Sequence, residues 1–218
     1  MHNINDHDGA AYTCAFTTTA SLFASGSGDT TVRVYDMETC TSLHLFGTMG
    51  TEDSKPALGH SSTVAKVEFF KESPHLLLSA GWDSSFKIWD TRKDGKACVM
   101  TTENAHSEVV SCATSLGDNW VVTGSSDSIV KVWDLRSSRS GGSKQQQTFH
   151  NMEIVETGLP RAGCVQTIKE HCTSINSLSV CAGGAQLITT GGDRTIRQFT
   201  SCIDHSNPVV SGCSCSVS

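Results

Sequence analysis

Four times along this chain of 218 residues a histidine is followed about twenty residues later by an aspartate, and six residues after that by an aromatic side chain. The copies run His7, Ser25, Asp29, Tyr35; His60, Ser79, Asp83, Trp89; His106, Thr123, Asp127, Trp133; and His171, Thr189, Asp193, Phe199. In each copy the hydroxyl residue stands four before the aspartate, and the His-to-Asp separations are 22, 23, 21 and 22 by residue number. Spacing held this closely marks an internal repeat whose units bury their apolar faces by stacking on one another.

Between each aspartate and its aromatic, apolar and basic residues alternate: Val32-Arg33-Val34-Tyr35, Phe86-Lys87-Ile88-Trp89, Val130-Lys131-Val132-Trp133 and Ile196-Arg197-Gln198-Phe199. Period-two alternation predicts strands with one buried and one wet side. The preceding stretches, such as Leu76-Leu77-Leu78-Ser79-Ala80-Gly81 and Trp120-Val121-Val122-Thr123-Gly124, read as apolar strands ending in small residues, so each aspartate falls at a tight hairpin turn. Short strands repeating in this way predict an all-β chain, a β-propeller with four recognisable blades. A histidine, a hydroxyl, a turn aspartate and an indole on neighbouring strands can form one chain of hydrogen bonds that satisfies buried polar groups. The same side chains would suit Ser-His-Asp catalysis, but four copies argue for structure. Nothing outside them offers a phosphate-binding glycine loop, a metal pair or another catalytic constellation, so neither an enzyme nor a cofactor is expected.

The stretches from Ser79 to Asp90 and from Thr123 to Asp134, ending in Lys87-Ile88-Trp89-Asp90 and Lys131-Val132-Trp133-Asp134, resemble WD40 repeats. The resemblance covers about residues 7–200, with repeats at 7–47, 60–98, 106–136 and 164–200. The first repeat has Tyr35 in place of the tryptophan, and the fourth departs from the pattern with Phe199 and Thr200. The polar stretches 47–59 and 137–163 read as surface inserts, and 201–218 as an irregular Ser/Cys-rich tail. Seven blades are commonest in this family, so four imply a partial ring, a truncated or alternatively spliced product, a small four-bladed ring, or an assembly closed by a second copy.

A formal charge of −6 gives no electrostatic reason to expect nucleic acid as partner. The start, Met1 to Asp6, has neither the basic nor the apolar region of a secretory signal, which points to the cytoplasm and/or the nucleus. Ten cysteines are then expected to be reduced, with Cys14 and Cys112 as small core residues. Arg136, Arg139 and Lys144 lie close together in a solvated insert. Cys202, His205, Cys213 and Cys215 follow a spacing that fits no usual zinc finger, and no metal is expected. The final four residues, from Cys215 to Ser218, fit the prenylation pattern, with Cys213 placed for a second lipid. Only such lipidation would bring the chain to a membrane, in the manner of a lipid-anchored adaptor similar to the G-protein β family.

Interaction sites are expected on the propeller faces. Trp82, just before Asp83, is a large aromatic on a turn, which either covers a neighbouring blade or anchors a protein or peptide partner, with Glu108 and Arg194 supplying charge on the same side. On the opposite side, Trp89-Asp90-Thr91-Arg92 and Trp133-Asp134-Leu135-Arg136 resemble the WDxR box of substrate receptors for cullin-4 ubiquitin ligases. That resemblance implies a non-catalytic scaffold whose Arg92 and Arg136 dock on the adaptor DDB1. Repeats one and four carry Glu38 and Cys202 there and lack the box.

Overall fold

A computed structural model of the chain describes residues 3–47, 59–93, 98–136, 161–181, 186–204 and 207–213, with side chains up to residue 200. Sixteen strands among them form four antiparallel sheets of four. The first blade is β1 (Ala11–Phe16), β2 (Leu22–Ser27), β3 (Val32–Asp36) and β4 (Ser42–Phe46). The second is β5 (Val64–Phe69), β6 (Leu76–Gly81), β7 (Phe86–Asp90) and β8 (Cys98–Thr102). The third is β9 (Val110–Leu116), β10 (Trp120–Ser125), β11 (Val130–Asp134) and β12 (Gly163–Ile168). The fourth is β13 (Ile175–Cys181), β14 (Gln186–Gly191), β15 (Ile196–Asp204) and β16 (Asn207–Cys213).

Each sheet is a simple meander, and the first strands of successive blades pack side by side, β1 on β5, β5 on β9 and β9 on β13. The result is an arc of four propeller blades. Three apolar cores lie at its three junctions. Ala24, Val34 and Phe46 of the first blade meet Val67, Leu77 and Trp89 of the second. Leu78, Phe86 and Ile88 meet Val110, Val121 and Trp133, and Val122, Val130 and Val132 meet Ile175, Leu187 and Phe199. Two glycines permit this approach. A Cβ on Gly26 would lie 2.6 Å from Val64 Cγ1, and one on Gly124 would lie 2.7 Å from Ile175 Cγ2.

Blades packed on both faces explain one departure from the expected alternation. Lys87, on the side predicted to be wet, is buried and donates from Nζ to Thr101 Oγ1 at 2.8 Å, because the preceding blade covers that side. Cys14 is a second correction: it is exposed, whereas Cys112 is buried. Register explains the difference. Cys14 pairs with Ser25, and the residues paired with the equivalent hydroxyls are Val67, Ala113 and Leu178. Cys14 therefore lies on the side of the first blade that no other described blade covers, while Cys112, one residue from Ala113, faces the fourth.

The boundaries also shift. Gly163, expected at the end of an insert, begins the outer strand of the third blade, and Ala162 before it is buried with its N–H on Thr102 Oγ1 at 3.2 Å. The described part of the segment after Phe199 is strand rather than irregular. Thr200 to Asp204 continue β15 and pair with β16 from Ser211 down to Asn207, giving the fourth blade the outer strand that the preceding three also have. The remainder of both inserts, residues 48–58 and 137–160, and Cys215 lie outside the described residues, as do the side chains of Cys202, His205 and Cys213. Among the described residues no helix is long and apolar enough to cross a membrane, and no three His, Cys, Asp or Glu residues are grouped to hold a metal.

Candidate functional site

Each aspartate sits in the middle of a three-residue hairpin loop that ends in a left-handed residue. The left-handed residue directly follows the aspartate, at Thr30 (φ 72°), Ser84 (60°), Ser128 (68°) and Arg194 (63°). In the second repeat His60 Nδ1 lies 2.9 Å from Asp83 Oδ2, His60 Nε2 2.7 Å from Ser79 Oγ, and Trp89 Nε1 donates to Ser79 Oγ at 2.8 Å. The third repeats this with His106 to Asp127 at 3.0 Å, to Thr123 at 2.7 Å, and Trp133 to Thr123 at 2.8 Å. Burial pushes the His106 imidazole below its ordinary value and so keeps it neutral at pH 7. The bonds then run one way: indole N–H to hydroxyl, hydroxyl to Nε2, and Nδ1–H to carboxylate.

The outer repeats keep the first half of this chain. His7 bonds Asp29 at 2.8 Å and Ser25 at 2.7 Å, while His171 bonds Asp193 at 2.9 Å and Thr189 at 2.7 Å. Tyr35, at the indole's place, bonds Ser25, and its phenol is pushed up chiefly by burial. Phe199 has no polar atom to contribute.

Spacing did not reveal how fully each carboxylate is saturated. The backbone N–H after each histidine donates to it: Asp8 at 3.0 Å, Ser61 at 3.0 Å, Ser107 at 3.2 Å and Cys172 at 3.2 Å. Hydroxyls two residues after the aspartate add bonds of 2.7 Å from Thr31, Ser85 and Thr195; the third repeat has Ile129 there. Burial works against the charge on Asp29, yet hydrogen bonds from Thr31 and His7 hold its carboxyl at about 2. Burial likewise opposes Asp83, and His60, Ser85 and Ser61 hold it well below the usual carboxylate range. Each of the four carboxylates is thereby tied both to its own histidine and to the backbone that follows that histidine.

On the same face Trp82 is 48% exposed and its ring lies 6.0 Å from that of Tyr12, which is 56% exposed. Trp82 thus leans on the neighbouring blade and still presents half its surface. Tyr12 drew no attention in the sequence because only the β1–β5 packing brings it to Trp82. Glu108 and Arg194 are exposed, one blade and two blades further on, and neither touches Trp82 among the described contacts.

On the opposite face Arg92 grips its own Asp90 with both arms of the guanidinium, Nε to Oδ1 at 2.9 Å and Nη2 to Oδ2 at 2.8 Å. Arg136 does the same to Asp134 at 3.0 and 3.2 Å, with its guanidinium 4.7 Å from the Trp120 ring. The side chains remain 65% and 39% exposed. Hydrogen bonds from Arg92 hold the Asp90 carboxyl at about 2 against opposing burial. Between the second and third blades, Glu68 Oε1 takes three bonds, from Thr114 Oγ1 and from the N–H and hydroxyl of Ser115, a cross-blade tie that no repeat signature marks.

The family described as "WD domain, G-beta repeat" matches residues 1–36, 54–90, 96–134 and 162–200. The chain belongs to the WD40 family. Among its WD40 relatives, the nuclear distribution protein nudF of Aspergillus niger is 26% identical, with 90% of this chain and 60% of that protein covered. The cell division cycle protein cdt2 of Schizosaccharomyces pombe is 28% identical over 63% of this chain and 30% of its own length. The human F-box/WD repeat-containing protein 4 is 28% identical, with 78% and 38% covered. This WD40 chain therefore spans between about a third and three-fifths of the length of these relatives.

Proposed function

We propose that this chain is a non-catalytic protein-interaction scaffold, and that Arg92 and Arg136 form its docking points for the DDB1 adaptor of a cullin-4 ubiquitin ligase. The observation that carries the reading is the matched presentation of the two arginines. Adjacent blades hold each guanidinium in a fork on a largely buried aspartate while leaving much of it in solvent. A pre-ordered planar cation loses little freedom on meeting an acceptor-rich surface, which is why arginine suits such contacts. The other face, with Trp82 and Tyr12 as a rigid aromatic pair, remains to receive a second protein. Bringing two proteins together needs no reactive group, and the hydrogen-bonded histidines and aspartates are all engaged in holding turns.

The test is co-precipitation of DDB1 by the chain and by a variant carrying Arg92→Ala and Arg136→Ala. The reading expects recovery to fall at least tenfold in the variant with an unchanged melting curve. Equal recovery from both would remove it.

A further inference from the structure

Trp82 and Tyr12 meet on the turn face with ring planes 45° from parallel, and each ring remains about half exposed. Two ring faces tilted in this way form a wedge in which one cation can lie within about 6 Å of both centroids. The backbone fixes both walls. Trp82 N–H donates to Thr63 O at 2.9 Å, just after the loop that bears His60. The Tyr12 ring lies so close over the first blade's turn that a Cβ on Gly28 would meet its Cε2 at 3.3 Å. Gly28 and Trp82 each directly precede a turn aspartate, so Asp29 follows one wall and Asp83 the other.

The charge around the wedge is predominantly of one sign. Burial opposes ionisation of Asp29 and Asp83, yet their hydrogen bonds overcome it, so both are carboxylates at neutral pH. Their bonding partners are histidine, backbone N–H and hydroxyl groups, not Lys or Arg. A bond from an uncharged donor spreads a negative charge without cancelling it. Burial keeps His106 neutral beside Asp127, so that turn is negative as well, while Asp193 has Arg197 beside it at 3.7 Å. The histidine-bearing loops add the exposed carboxylates of Asp6, Asp8 and Glu108. The bases among the described residues of these loops and turns are Lys169 and Arg194, both in the fourth repeat and away from Trp82.

We propose that the turn face takes a basic segment of a partner protein, with one of its lysine or arginine side chains seated in the wedge between Trp82 and Tyr12. The inference rests on the reading that this face receives a protein, and it names that protein's chemistry. The ring faces attract the seated cation, and the surrounding carboxylates draw further bases of the same segment toward the face. An acidic segment would meet like charge there, and an apolar one would strip water from carboxylates without replacing it.

The probe is a short capped peptide of alternating arginine and serine, titrated into the chain by calorimetry beside two controls that carry glutamate or leucine in place of arginine. The arginine peptide should bind one to one, at least tenfold tighter than either control, and should weaken at least threefold between low and physiological salt. Trp82→Ala should weaken it at least tenfold with an unchanged melting curve, whereas Trp82→Phe, which keeps a ring, should stay within about threefold of the wild type. No binding of the arginine peptide, or binding that Trp82→Ala leaves unchanged, would overturn the proposal. Binding of the glutamate or leucine peptide that depends on Trp82 would overturn it too, while leaving the turn face a docking face of different chemistry. Co-precipitation of DDB1 through Arg92 and Arg136, on the opposite face, stands or falls independently of all these outcomes.

Discussion

Phe46, on the outer strand of the first blade, lies flat on Trp89 of the second, with ring centroids 5.2 Å apart and planes 4° from parallel. The indole underneath also donates to Ser79, so this stack joins a blade junction to a hydrogen-bonded chain that ends at the Asp83 turn. Phe46 is 2% exposed. Phe46→Ala should lower unfolding free energy by about 3–5 kcal/mol, the usual cost of emptying a buried phenylalanine site. Urea titration would show it, and a loss under ~1 kcal/mol would mean that the junction is not a rigid core.

Removing a turn carboxylate attacks the same unit from its other end. Asp83→Ala strands the Nδ1–H of His60 and the N–H of Ser61, and Asp127→Ala does so for His106 and Ser107. Each substitution should cost about 1–3 kcal/mol, the penalty for orphaned buried donors. Calorimetric melting of both variants measures it, and unchanged curves would show that these bonds do not hold the turns.

The pH dependence follows from the directions of the shifts. Asp29 and Asp90 have carboxyls near 2 in the folded chain against 3.8 ordinarily. Between those values the unfolded chain takes up protons that the folded chain refuses, so stability is present above about pH 4 and is lost as pH falls toward 2. Burial pushes His106 below 6.5, which favours the unfolded chain, the better proton acceptor, as pH falls below that value. Melting temperature should be flat between about pH 7 and 8, decline gently below 6.5, drop steeply below 4, and fall again above about 9, where the unfolded chain ionises the Cys98 and Cys112 thiols that burial keeps protonated in the folded one. Asp29→Asn should make the acid limb shallower, and a melting temperature at pH 3 equal to that at pH 7 would contradict the assignment.

What could be read from residue order follows from the range of each interaction. The strand pairs, their turns and the candidate His60, Ser79, Asp83 and Trp89 chain lie within one repeat, and a period-two pattern with fixed spacing displays them. The relations that spacing hid join different repeats or depend on a blade being covered. Tyr12 meets Trp82 only through blade packing, and Glu68 reaches Thr114 and Ser115 across a junction. Lys87 is buried because another blade lies over it, while Cys14 is exposed because none does. The strand from Asn207 to Cys213 escaped notice because it pairs by backbone hydrogen bonds and its small, polar composition lacks alternation.

Tryptophan emission separates the turn face from the cores. Trp82 is 48% exposed, whereas Trp89, Trp120 and Trp133 are 2%, 4% and 5% exposed. Iodide, which cannot enter a packed interior, should quench only the Trp82 component, and Trp82→Phe should abolish the quenchable fraction while leaving stability within about 0.5 kcal/mol, as for surface changes generally. Quenching that persists in the variant would mean that a blade junction opens to solvent. A partner seated on Trp82 and Tyr12 should protect the same fraction, which makes the measurement a direct reader of occupancy.

The buried cysteines report on the intactness of two junctions, the one that holds the Phe46–Trp89 stack and the one between the third and fourth blades. Cys98 lies in the core between the first and second blades and Cys112 in that between the third and fourth, and burial pushes both thiols up to about 11. Alkylation requires the thiolate, so each is guarded by lack of access and by a high cost of ionisation. Iodoacetamide at pH 8 should leave both unmodified in the native chain for hours and label both once urea unfolds it. If Cys112 alone became labelled under native conditions, the fourth blade would be separating from the third by local opening. Labelling of both at the rate of a free thiol would mean that neither junction is closed in solution.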